Sequence, residues 1–101
     1  MADRPEYERT YRDRTPASRQ RHESFEDHLP GGVASSTRNW DPYPFVVDRA
    51  EGVYLHDVDG NRYLDFDMNN GAGICGHTHP DVTAALHDQV DAGTLYTMPH
   101  D

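Results

Sequence analysis

Lysine is absent from this chain, and all nine basic residues are arginine. Without a lysine amine no lysine Schiff base can form on these 101 residues, so chemistry that runs through a lysine-bound carbonyl group is closed to them alone. The single cysteine, Cys75, excludes an internal disulfide and gives no sign of an oxidising compartment. No apolar run approaches the ~18 residues of a membrane span. The N-terminus is rich in arginine but lacks an apolar segment. Its acids Asp3, Glu6, Glu8 and Asp13 argue against both a secretory signal and an organelle transit peptide. A cytoplasmic protein is the expectation. Aliphatic residues are scarce too. Residues 1–28 hold almost none, and only 35% of the chain is hydrophobic, so the usable core lies in residues 29–99 and is thin for an independent fold.

Negative charge is what the chain has in excess. Eighteen acids face nine arginines, for a formal net charge of −9. Six of the arginines fall in the first 21 residues, leaving 14 acids against 3 arginines beyond them. Such a surface repels phosphate backbones and anionic lipid, so neither nucleic acid nor a membrane is an expected partner. An acidic, lysine-free composition fits a halophilic protein, since salt screens the mutual repulsion of carboxylates. Ordinary acidic bias in a short chain is the alternative.

Local pattern divides the chain into a charged N-terminal tail or helix, residues 1–28, and a folded part, residues 29–101. Residues 1–21 mix both charge signs with Pro5 and Pro16 and read as a solvated tail, disordered or loosely helical. Residues 18–28 fit one short helix anchored by Phe25 and ended by Pro30-Gly31-Gly32. Residues 33–44 read as an extended polar loop. Phe45 to Val47, Gly52 to His56 and Arg62 to Asp67 predict three strands of a small antiparallel meander, with Asp59-Gly60-Asn61 as the turn between the last two. Pro80 suits the first turn of a helix running to about Ala92. Val82, Ala85, Leu86 and Val90 form its apolar stripe and Gly93 its stop.

Four short motifs occur in order: Leu29-Pro30-Gly31-Gly32-Val33, Arg49-Ala50-Glu51-Gly52, Asp57-Val58-Asp59-Gly60-Asn61-Arg62-Tyr63-Leu64-Asp65 and Gly76-His77-Thr78-His79-Pro80. Together they resemble the N-terminal segment of class III aminotransferases that use pyridoxal 5'-phosphate (PLP), and most of all the glutamate-1-semialdehyde 2,1-aminomutase branch. The likeness runs from about Glu26 to Pro99. It implies an α/β architecture, fold type I of the PLP-dependent transferases when complete, to which this segment contributes a tail and helix, a meander and one helix. Members of the family are much longer, so the chain reads as the front end of a larger protein. The resemblance further implies PLP in the full-length enzyme, a small amino-acid substrate and a homodimer whose partner subunit is approached by residues 93–99. An aminomutase returns the amino group to the adjacent carbon of the same molecule, in the branch that makes tetrapyrrole precursors, whereas a transaminase passes it to a separate keto acid. The rival from another class is a non-catalytic truncated remnant or interaction module.

Ser35-Ser36-Thr37-Arg38 is the foremost ligand-binding candidate. A guanidinium offers a carboxylate a bidentate fork, and neighbouring hydroxyls add hydrogen bonds. The resemblance implies that Ser35 and Arg38 hold the substrate carboxylate. The bland alternative is an exposed arginine paired with Asp41 or another of the many acids. Asn70 stands where the resembled branch has an aromatic beside the glycine. It offers hydrogen bonds instead of a stacking face, which favours a transaminase acting on another amino acid. Alternatively, Asn69 and Asn70 merely make a turn. His77 and His79 beside Cys75 invite a metal reading, but residues at i and i+2 diverge on a strand and a third ligand is not obvious. By resemblance this motif is a structural turn packing the hairpin onto the helix, and no metal is expected. Asp57 to Asn61 fails as a calcium loop, because glycine is fourth and Met68 stands at position twelve. Asp65 and Asp67 share a strand face and read as solvated. No catalytic residue is assigned.

Overall fold

The computed structural model describes residues 4–100. Its two N-terminal prolines start helices rather than break them. Pro5 precedes α1 (Glu6–Arg14), and Pro16 is the first residue of α2 (Pro16–Glu26), where its missing N–H costs nothing. Charges that suggested a solvated tail are spaced for a helix instead. Glu6 and Glu8 sit in the first turn of α1 and Arg12 and Arg14 in its last, each complementing the helix dipole. Arg12 Nε lies 2.9 Å from Glu8 one turn earlier. The solvated-tail reading of residues 1–21 is therefore corrected from residue 6 onward, and the short helix expected over residues 18–28 forms as part of α2; residues 1–3 lie outside the described residues.

The meander forms in the predicted order, with β1 (Val47–Glu51), β2 (Tyr54–Asp57) and β3 (Arg62–Leu64) antiparallel neighbours. Its edges differ from expectation. β1 starts at the last residue of the predicted strand because Phe45 and Val46 have other partners. Phe45 stacks on Tyr63 with centroids 4.5 Å apart. The Val46 N–H donates to Ser18 Oγ at 3.1 Å, and its carbonyl accepts from Val58 N at 2.9 Å. β3 ends at Leu64 because Asp65 turns the chain, accepting from the amides of Asp67 and Met68. Helix α3 (Pro80–Ala92) matches its predicted span and closes on Gly93 at φ 110°.

The interior is a polar seam. Tyr43 is the one buried hydrophobic residue among the described residues, flanked by Thr15 and Ser18, both fully buried. Tyr43 Oη lies 3.0 Å from Thr15 Oγ1, and Tyr11 Oη donates to the Tyr43 carbonyl at 2.8 Å. Burial, with the charges of Tyr43 and Asp57, pushes the Tyr11 hydroxyl up to about 12. The stripe of α3 stays on the surface, with Leu86 and Val90 more than half exposed. The Gly76–Pro80 turn thus links hairpin to helix, through paired Gly52 and His77 backbones, without burying that stripe. No helix among the described residues is long and apolar enough to cross a membrane.

Candidate functional site

Helix α2 is followed by two glycines in the left-handed region, Gly31 at φ 67° and Gly32 at φ 66°. At Gly32 no other residue fits. A Cβ there would lie 2.7 Å from His22 Cε1 and 3.0 Å from the His22 carbonyl oxygen. This reversal is followed by a 3-10 turn at Ser36–Arg38, a departure from the extended loop the sequence suggested. Arg38 N donates to Ser35 O at 3.0 Å, and the Ser35 and Thr37 hydroxyls are 3.0 Å apart. Trp40 Nε1 donates to Thr37 O at 3.1 Å, which ties the indole to the turn.

Between α2 and the chain that enters β1 lies an open groove of about 510 Å³. Phe25, Leu29, Val33, Trp40 and Phe45 give it apolar walls, and Arg38 is its only arginine. Among the described residues Arg38 has no ion pair. Asp41 faces a different depression, shared with Tyr7 and Arg12, and the alternative pairing of Arg38 with it does not form. Ser35 and Arg38 are brought together on one exposed turn.

Asn70 lies on a separate turn. Met68, Asn69, Asn70 and Gly71 all have positive φ, between 46° and 82°. Asparagine and glycine tolerate that region and methionine resists it, so the turn needs external support. Asp65 provides it. Its Oδ1 accepts from Asp67 N at 3.0 Å and Met68 N at 2.9 Å, and its Oδ2 accepts from His77 Nε2 at 2.7 Å. The Met68 amide, then the His77 ring, hold the Asp65 carboxyl below the ordinary range against the effect of burial. With a side chain only 8% exposed, Asp65 corrects the reading of a solvated face; Asp67 remains exposed. No hydrogen bond joins Asn70 to Ser35 or Arg38 among the described residues.

The remaining histidine of the motif has a structural task. His79 Nδ1 accepts from Asp81 N at 3.3 Å, at the start of α3. Among the described residues no group of three or more His, Cys, Asp or Glu side chains is placed to hold a metal ion. One carboxylate was missed in sequence. Asp59, on the hairpin turn, caps α2 from outside: it accepts from Ala17 N at 2.6 Å, Ser18 N at 2.9 Å and Ser18 Oγ at 2.7 Å. Burial alone would raise its pKa, but these bonds outweigh burial and hold it low. The Asp-Gly dipeptide marks the turn and carries no signal of a partner 41 residues away.

Comparison with known proteins bears on the family and the fold. The family described as Aminotransferase class-III matches residues 35–100. A glutamate-1-semialdehyde 2,1-aminomutase from Methanosarcina acetivorans is 43% identical over 82 residues, 81% of this chain and 19% of that protein. Among solved structures, a β-phenylalanine aminotransferase from Variovorax paradoxus superposes with a TM-score of 0.87 at 32% identity, over 92% of this chain and 22% of that one. A glutamate-1-semialdehyde aminomutase from Pseudomonas aeruginosa PAO1, solved in complex with PMP, gives 0.85 at 26% identity, over 92% and 21%. The chain therefore spans about a fifth of the length of these proteins.

Proposed function

The chain belongs to the class-III aminotransferase family, and on that premise we propose that it forms the substrate-carboxylate arm of a PLP-dependent enzyme that moves an amino group on a small amino acid. The observation that supports this most is Arg38: an exposed guanidinium without an ion pair among the described residues, beside the Ser35 hydroxyl, in a chain of 18 acids. In this reading Arg38 takes the substrate carboxylate in its fork, and Ser35 adds a hydrogen bond that fixes the carboxylate's orientation. The residues present do not fit the cofactor as its holder. With no lysine in the chain, the amine that binds PLP comes from outside these residues. Apolar side chains exposed on α3 and beyond it, Leu95 and Met98 among them, suit contact with the remaining fold and with a second subunit.

Identity to aminomutases supports the aminomutase reading. Asn70, in place of an aromatic, supports instead a transaminase for another amino acid. The test is PLP titration followed by visible absorbance of the lysine-bound cofactor. The 101 residues alone give no such band, and the polypeptide that supplies the rest of the fold gives one. Absence from both would leave a remnant or interaction module. In the active enzyme, Arg38→Ala raises KM for the amino-acid substrate roughly 10- to 100-fold, the worth of a charge-assisted hydrogen bond. Arg38→Lys recovers only part, having lost the fork. An unchanged KM would remove Arg38 from the substrate site.

A further inference from the structure

If Arg38 holds a carboxylate, as proposed above, the groove beside it specifies what that carboxylate is attached to. Its walls are apolar. The only polar side chains lining it are Arg38, His22 and Trp40, and the Trp40 N–H is already committed to Thr37 O. His22 is 8% exposed and its Nδ1 is buried without a hydrogen-bond partner, facing the Gly32 backbone. A polar substituent in this groove would lose its water and find few partners. An apolar one would cover Phe25, Leu29 and Trp40, which are 38%, 38% and 59% exposed. The walls are also preset, since Phe45 stacks on Tyr63 at 4.5 Å and Trp40 is tied to the turn that carries Arg38. At about 510 Å³ the groove has the size of a small-molecule site, for which roughly 300–1,000 Å³ is typical.

We propose that this groove receives the substrate's side chain, and that the substrate class is a small monocarboxylate bearing an aromatic or branched apolar group. The occupant is fixed by charge as well as by shape. Arg38 has no ion pair among the described residues and no Asp or Glu lines the groove, so an incoming carboxylate finds a cation with no resident competitor. The apolar groove beside it, with Trp40 as one wall, then takes the rest of the molecule. A short polar oxo-acid would satisfy Arg38 and leave the groove empty.

Trp40 is the only tryptophan of the chain, so its fluorescence reports on this groove alone. Three probes are titrated into the 101-residue chain: 3-phenylpropanoate, 4-oxopentanoate and 3-phenylpropan-1-ol. The expected result is a saturable emission change with 3-phenylpropanoate at a Kd at least tenfold below those of the other two. Arg38→Gln, an exposed position, brings the phenyl acid down to the affinity of the alcohol. Phe25→Ala, or Leu29→Ala should the first unfold the chain, weakens the phenyl acid and leaves 4-oxopentanoate unchanged. Equal or tighter binding of 4-oxopentanoate that still depends on Arg38 overturns the groove assignment and keeps the carboxylate arm. Loss of carboxylate dependence altogether, with helical circular dichroism intact, overturns both. Emission that shifts on dilution and ignores all three probes shows a second copy of the chain covering the groove, and also overturns the proposal. The PLP titration is independent of each of these outcomes.

Discussion

Replacing Asp59 by alanine is expected to release α2 from the meander. The Ala17 and Ser18 amides are among the first four N–H groups of α2, which have no acceptor within the helix. Both donate to Asp59, and the fully buried Ser18 hydroxyl donates there too. Loss of an N-cap costs about 0.5–2 kcal/mol, and stranding a buried donor costs about 1–3 kcal/mol. Asp59 is itself half-buried, so water re-solvates part of what is lost, and a total of about 2–3 kcal/mol follows from the two effects. With a urea m-value of about 1 kcal/mol/M, at the low end for small proteins, the midpoint falls by about 2–3 M. Amide hydrogen exchange gives the sharper assay. In Asp59→Ala the Ala17 and Ser18 amides exchange at nearly unstructured rates, while Asp59→Asn, keeping one acceptor oxygen, is intermediate. Paired with Ser18→Ala, the two losses are less than additive, because both remove the same hydroxyl bond. A loss below about 0.5 kcal/mol with both amides still protected would refute the cap.

Gly32→Ala combines a left-handed φ with a Cβ 2.7 Å from His22 Cε1, and is expected to cost about 2–4 kcal/mol from the two effects. Gly60→Ala, at φ 86° with open space around it, costs only the conformational part, about 1–2 kcal/mol; equal costs in thermal melts would dismiss the His22 contact. Asp65→Ala withdraws the acceptor from Met68, Asp67 and His77 and costs about 2 kcal/mol, with the Gly71 and Gly73 amide resonances shifting as the left-handed turn opens. Asp59 and Asp65 both have depressed folded pKa values, so their stabilisation is present above the unfolded value of about 3.9 and is lost as pH falls through the folded ones. Urea melts therefore weaken below about pH 4, and less steeply in Asp59→Ala than in the parent chain. At the alkaline end the signs reverse. Burial raises Tyr11 to about 12, and burial with the Asp57 hydrogen bond raises Tyr63 further. Stability is thus complete below about pH 10 and falls above it, and ultraviolet titration shows at least two of the six tyrosines ionising late until urea removes the difference.

Much of the fold was legible because its signals are local. Pro80 and Gly93 bracket α3 by the fixed φ of one and the positive φ of the other, and Asp-Gly-Asn places the β2–β3 turn whatever surrounds it. The N-terminal helices were not legible. Their charges serve either a solvated tail or an i,i+4 ladder, and the decision rests on Thr15 meeting Tyr43 and Ser18 meeting Val46, each across 28 residues. The strand edges failed for a similar reason. Phe45 and Val46 have high β-propensity but are held by Tyr63, Ser18 and Val58, while Val47 and, past an irregularity at Asp48, Arg49 to Glu51 take the ladder positions beside β2.

The site shows the same division between chemistry and placement. Residue type made Arg38 a candidate for binding a carboxylate, and only the family resemblance made it a substrate binder and Asn70 a departure. Whether an acid already occupied Arg38 depended on where eighteen carboxylates go, and composition treats them all as surface charge. In the structure several turn inward as acceptors: Asp57 takes four hydrogen bonds, from Asp59 N, Asn61 N, Asn61 Nδ2 and Tyr63 Oη, and Asp59 and Asp65 take three each. These acids are spent on backbone and hydroxyl donors and are not available to arginine. Glu8 faces Arg4 and Arg12, and Glu51 faces Arg49. An excess of acid therefore does not imply that every guanidinium is paired. Among the described residues Arg14 and Arg62 also lack an ion pair but are engaged by Asn61 and by the Tyr54 ring, and Arg21 lies near Asp59; Arg38 has none of these partners and lines an apolar groove, the condition under which a ligand's carboxylate can reach it.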